Sequence, residues 1–148
     1  MKIVAQNGKN RIKRLLSAIC LTLLLAGNAA GADGNVEVNV LAKSASSWDG
    51  KVLPAYTTGK PEISILRIKI PPGAVLPLHK HRVINAGVLI SGELTVVTEA
   101  GQTLHLKAGE ALVEVVDTWH YGKNEGDKPA EIIVFYAGAL EAPITVNK

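Results

Sequence analysis

Cysteine is nearly missing from this 148-residue chain: Cys20 is the only one. A domain downstream of it has no disulfide of its own, so burial, strand pairing and any bound metal must hold it together. A run long enough to span a bilayer is missing too. The longest apolar stretch, Leu15 to Ala26, is interrupted by Ser17 and Thr22 and falls short of the roughly 20 residues a crossing needs. After residue 33 there is no convincing repeat of 3.6, which argues against helices. There is also no internal repeat and no low-complexity tract.

What the first 32 residues do contain is an ordered set of signals. Lys2, Lys9, Arg11, Lys13 and Arg14 come first with no acidic residue among them, then the apolar run, then Gly27 to Ala32. Basic, apolar and small segments in that order predict a secretory signal peptide over residues 1–32. Cleavage is expected after Ala30-Gly31-Ala32, with Gly27-Asn28-Ala29 as the alternative site. An acylated Cys20 would make a lipoprotein, but bulky Ile19 precedes it and the apolar run continues past it. An uncleaved membrane anchor is the other reading. The expected product is periplasmic or secreted, with no stable membrane anchor. Of the chain's 16 basic residues five lie in the leader, leaving 11 against 13 acidic ones in residues 33–148. The basic pI of the whole chain thus belongs to the leader, and no basic patch remains for nucleic acid.

Residues 33–148 read as one all-β domain. Val36, Val38 and Val40 alternate with Glu37 and Asn39, as in a half-buried strand. Ser44 to Gly59 is rich in breakers. Glu62 to Ile70 is strongly β, with a change of phase at Leu66 that predicts a bulge or a change of buried face. Further short strands are expected between Val75 and Ile90, over Glu93–Thr98, Gln102–Lys107, Ala111–Val116 and Ile132–Tyr136. Short strands at 8–12-residue spacing point to a sandwich or barrel.

The chemistry lies in the histidines. His79 and His81 are two apart, so in a strand both imidazoles face one side, and Asn85 shares that face if the strand is unbroken. A His-x-His pair alone is more often surface or core than ligand. The framework around it changes that. Gly73, five residues, His79, one residue, His81, three residues, Asn85, six residues and Gly92 resemble the first cupin signature. Gly109, five residues, Val115, Val116, Asp117, two residues, His120, three residues and Asn124 resemble the second. The resemblance runs over motif 1 at 73–92 and motif 2 at 109–124, with 16 residues between them. It departs at Asn85, where the family has Glu, and at Val115 and Asp117, where it usually has Pro and Gly.

Similarity to cupins implies a double-stranded β-helix, the jelly-roll barrel, over residues 33–148. It implies a divalent metal (Fe, Mn, Zn or Ni) at His79, His81 and His120, with Asn85 as a weak fourth ligand or a ligand-binding amide. The pattern resembles the three-histidine iron sites of thiol-dioxygenase-type cupins more than the two-His, one-carboxylate triad. Asn85 and Asn124 are the candidate substrate contacts, a turn being the alternative for Asn124. Glu114 is a possible inward carboxylate, though nothing in the sequence fixes its direction. His105, on a polar face, reads as a surface residue. The family includes enzymes and binders, so two functions stay open. One is a metal-dependent oxygenase or isomerase acting on a small oxygenated or anionic molecule. The other is a non-catalytic binder of a sugar or small acid with a degenerate site. A homodimer paired through Val36–Val40 is also expected. Ordinary imidazoles would begin to release a metal below about pH 6.5.

Overall fold

Alternation of apolar and polar residues drives the chain into strands that pair in two antiparallel sheets. The structure, a computed structural model, describes residues 35–148. The leader, its cleavage sites and Cys20 lie outside the described residues. Nine strands follow in order: β1 (Pro61–Ile70), β2 (His79–Lys80), β3 (Ile84–Ser91), β4 (Glu93–Thr98), β5 (Thr103–Lys107), β6 (Ala111–Val113), β7 (His120–Lys123), β8 (Ala130–Ala139) and β9 (Val146–Asn147). One sheet runs β1-β8-β3-β6 and the other β5-β4-β7-β2-β9. No helix occurs among the described residues, and the all-β jelly-roll expected from the sequence is what forms.

The inner faces meet in a core that includes Ile70, Leu89, Leu94, Val96, Leu112, Ile132 and Val134. Their registers stack the side chains in layers. In the five-stranded sheet His79 opposes His120, His120 opposes Thr98, and Gly122 opposes Val96 one step further along. In the four-stranded sheet Asn85 opposes Tyr136, and Gly87 opposes both Val134 and Leu112 at the next step. Imidazole, amide and phenol therefore gather in one layer, with hydrocarbon in the layers beyond it.

Three expectations need correction. Val36–Val40 forms no strand; Val36, Val38 and Val40 are 88, 80 and 74% exposed. The alternation is genuine, but a strand exists only where an edge pairs with it, and none of the nine strands extends to these residues. Leu66 marks no bulge either: β1 pairs with β8 without interruption from Pro61↔Ala139 to Ile70↔Ala130. Leu66, Ile68 and Ile70 line the interior, so the apparent shift of phase arises because the first half of β1 also carries apolar residues outward, Ile63 and Ile65. Finally, His81 and Asn85 do not share an unbroken strand. The chain bends at Arg82-Val83 and passes from one sheet to the other.

Asp117 accounts for one departure from the second signature. Its φ is 51°, a left-handed conformation that glycine adopts freely and aspartate tolerates better than most residues. The carboxylate pairs with Arg82 at 2.9 Å, so this position keeps the turn and gains an ion pair.

Candidate metal centre

Each of the three histidines is tied to the backbone through Nδ1. His79 Nδ1 lies 2.7 Å from the Pro77 carbonyl oxygen, His120 Nδ1 lies 2.8 Å from that of Thr118, and His81 Nδ1 lies 2.9 Å from that of Ile144. Thr145 Oγ1 adds a contact at 3.2 Å to His81. A carbonyl only accepts, so each Nδ1 must carry the proton and donate it. Each Nε2 is left with its lone pair, the tautomer a metal needs. The ring centroids are 4.4–5.0 Å apart, and the three sets of potential ligand atoms lie within 4.8 Å of one another.

Asn85 is the fourth member. It is 1% exposed and lines the same cavity. Its Nδ2 donates to the Val83 carbonyl at 3.3 Å, while Oδ1 is buried with no hydrogen-bond partner. An orphaned buried carbonyl costs about 1–3 kcal/mol unless something fills it, and a cation or a ligand N–H or O–H would.

Asn124 does not join the site. Its Nδ2 donates to the carbonyls of Ile70 and Lys128, at 3.0 and 2.8 Å, and its Oδ1 accepts from Gly126 N at 3.0 Å. It is absent from the cavity lining, and these bonds make it a turn-fixing residue instead of a substrate contact. His105 is exposed and bonds Thr95 Oγ1 at 3.0 Å, as a surface residue would.

Glu114 is the residue the sequence left undecided. Its Oε1 accepts from Trp48 Nε1 at 2.9 Å and from Val115 N at 2.9 Å, and lies 3.9 Å from His120 Nε2. Two donors thus fix a carboxylate on the cavity wall beside the imidazoles. The available signal was period two: Leu112 faces inward, so Glu114 does as well. What could not be read was Trp48, 66 residues away in the chain.

Electrostatics follow from burial. Desolvation, opposed by the Ile144 hydrogen bond and reinforced by the other two imidazoles, pushes His81 down to about 4. His79 is shifted down by desolvation as well, opposed by its bond to Pro77 and by Glu114. Burial, helped by the Glu114 carboxylate, pushes the Tyr136 phenol up to about 12, so it stays protonated.

Competition between metal and protons therefore moves below the pH 6.5 expected of ordinary imidazoles. Stability follows the same shift. His81 takes up a proton more readily in the unfolded chain than in the folded one, so its contribution is whole above pH 6.5 and lost as pH falls toward 4. A shift from 6.5 to about 4 corresponds to about 3 kcal/mol. Urea titrations of metal-free protein should show stability falling between pH 6.5 and 5, where carboxylates barely titrate, and His81→Gln should flatten that slope. A flat wild-type profile there would mean that the ring is not buried in its neutral form.

The profile of the cupin domain family matches residues 66–136. These residues form a cupin domain. No curated protein matches this cupin significantly. Among solved structures, an oxalate oxidase in complex with the substrate analogue glycolate is 26% identical, with a TM-score of 0.50, over 57% of this chain and 45% of that one. The DMSP lyase DddQ from Ruegeria pomeroyi is 21% identical, with a TM-score of 0.51, over 58% and 43%. An oxalate decarboxylase from Lactobacillus farciminis, solved as a formate complex, is 23% identical, with a TM-score of 0.50, over 57% and 26%. This cupin thus spans less than half the length of each.

Proposed function

We propose that this protein is an exported metal-binding cupin that transforms a small oxygenated or anionic molecule. The observation that carries the reading is the set of three imidazoles whose Nδ1 protons are committed to backbone carbonyls, leaving the Nε2 lone pairs to converge. In this reading His79, His81 and His120 hold a divalent ion, and the unpartnered Asn85 Oδ1 completes the set or takes a donor from the substrate. Imidazole nitrogens suit iron, zinc and nickel, and manganese is also a candidate. A bound ion would polarise an oxygen of the substrate. Likeness to an oxalate oxidase supports a small oxygenated acid as the starting substrate class.

Turnover is favoured over mere binding because the pocket has a candidate acid–base pair. Glu114 stands beside His120 as a fixed carboxylate, and Tyr136, which lines the same cavity, keeps its O–H as a donor. Protein purified without a histidine tag should carry about one divalent ion per chain by elemental analysis. A metal-free preparation that also refuses iron, manganese, nickel and zinc would end this reading.

The outer face of the four-stranded sheet supports a homodimer. Ile65 and Phe135 are directly opposed across β1 and β8 and are 56 and 49% exposed, with Ile63 beside them at 57%. A contiguous apolar patch of this kind favours association, and a second copy of the chain is the partner proposed for it. Light scattering should give twice the chain mass, and Ile65→Lys should shift it to the monomer. A monomeric wild type at tens of micromolar would reject the dimer.

A further inference from the structure

The layering of the interior bears on which molecule the site takes. The cavity measures about 260 Å³. Its polar layer holds the histidines, Asn85, Glu114 and Tyr136. Beyond it, the lining is hydrocarbon: Val96, Leu112 and Val134 in one layer, then Leu94, Ile68 and Ile132 in the next. Two inward positions are glycines, Gly87 and Gly122. A Cβ at Gly87 would come within 3.0 Å of Ile132 Cδ1, and one at Gly122 within 3.2 Å of Leu76 Cδ1. Of the two, Gly122 lines the cavity itself, and a side chain there would consume the space that lies past the polar layer.

Charge is the second observation. Among the described residues no lysine or arginine lines the cavity. Lys80 and Arg82, which neighbour the histidines in the chain, turn to Asp117 at 3.8 and 2.9 Å. A divalent ion on three neutral imidazoles with Glu114 nearby leaves roughly one positive charge to be met by a ligand. A small dianion would bring an excess charge into a lining with no cation to receive it, at a high desolvation cost.

We propose that the ligand carries an oxygen-donor head of at most one negative charge and an uncharged hydrocarbon body, about ten non-hydrogen atoms in all. This inference rests on the metal reading above. The size follows from scaling: an apolar cavity of about 150 Å³ accommodates benzene, so one of 260 Å³ takes a molecule somewhat under twice as large. The head binds in the polar layer, and the body occupies the space between Val96, Leu112 and Val134.

Two chelators with the same head and different bodies test this directly: acetohydroxamate, with a methyl group, and benzohydroxamate, with a phenyl ring. Zinc alone is titrated first by calorimetry, and the hydroxamates and oxalate are then titrated into the zinc-loaded protein. Benzohydroxamate is expected to bind about 30-fold tighter than acetohydroxamate, from burial of the extra apolar surface, and tighter than oxalate. An advantage below tenfold, or oxalate as the tightest ligand, overturns the inference. Gly122→Val should erase the benzohydroxamate advantage while leaving zinc and acetohydroxamate affinities as they were. The wild-type comparison decides the matter even if that variant folds poorly. Failure to take up zinc rejects the metal reading and the head-group assignment with it. Uptake of zinc without preference for the phenyl body rejects this inference alone.

Discussion

His81→Ala is expected to abolish stoichiometric metal uptake and to weaken any residual binding at least 100-fold. Structural zinc sites with four ligands bind with roughly 10–16 kcal/mol, or about 3 kcal/mol per ligand, and each 1.4 kcal/mol is a factor of ten. The replacement also strands the Ile144 carbonyl and the Thr145 hydroxyl that receive the His81 ring. Some loss of stability should therefore accompany the loss of metal, on the order of 1–3 kcal/mol. Elemental analysis and calorimetric titration give the metal result, and thermal unfolding of the metal-free forms gives the stability. His105→Ala is the control: that ring is exposed and bonds only Thr95, so uptake should not change. Equal metal content in wild type and His81→Ala would place the ion elsewhere.

Gly92→Ala should be the costliest small substitution in the barrel, at about 4 kcal/mol. Two independent causes combine there. The residue has φ +76°, and a Cβ would lie 2.7 Å from the Pro129 carbonyl oxygen and 2.8 Å from Ala130 Cα. Neither contact is to a flexible side-chain end, so the turn into β4 must separate from the start of β8. Left-handed strain costs about 1–3 kcal/mol, and forced backbone displacement adds a similar amount. The melting temperature should fall by roughly 15 °C. Gly101→Ala separates the causes, because Gly101 has φ +86° with nothing within 4 Å of its Cβ position. Its cost should be the strain alone, about 1 kcal/mol. Similar losses in the two variants would show that close approach at Gly92 is not the larger part.

Much of the barrel and of the histidine cluster was legible because both rest on short-range regularities. Strand alternation placed β1, β4, β5 and β8 nearly where they form. The spacing of His79, His81 and His120 within the two signatures located the cluster. Errors arose wherever a residue's role depends on a remote partner. Val36–Val40 alternates like a strand yet forms none. Asn85 lines the cavity as expected, but it arrives from the opposite sheet after a bend, so the even-offset argument reached the correct place by an incorrect route. Asn124 fits the signature and serves the turn, because its acceptors on Ile70 and Lys128 become neighbours only on folding. Glu114 acquires a fixed direction from Trp48, in a segment that reads as loop. Gly92 closes the first signature, but its close approach to Pro129 and Ala130 is a tertiary fact that spacing does not carry.

The carbonyls of Pro77, Thr118 and Ile144 hold the imidazole rings whether or not an ion is present. Orientation is thus completed when the backbone folds, and no coordination energy need be spent on shaping the cradle. Different ions would compete for a seat already made, so the occupant is decided by local supply and by each element's preference for nitrogen donors.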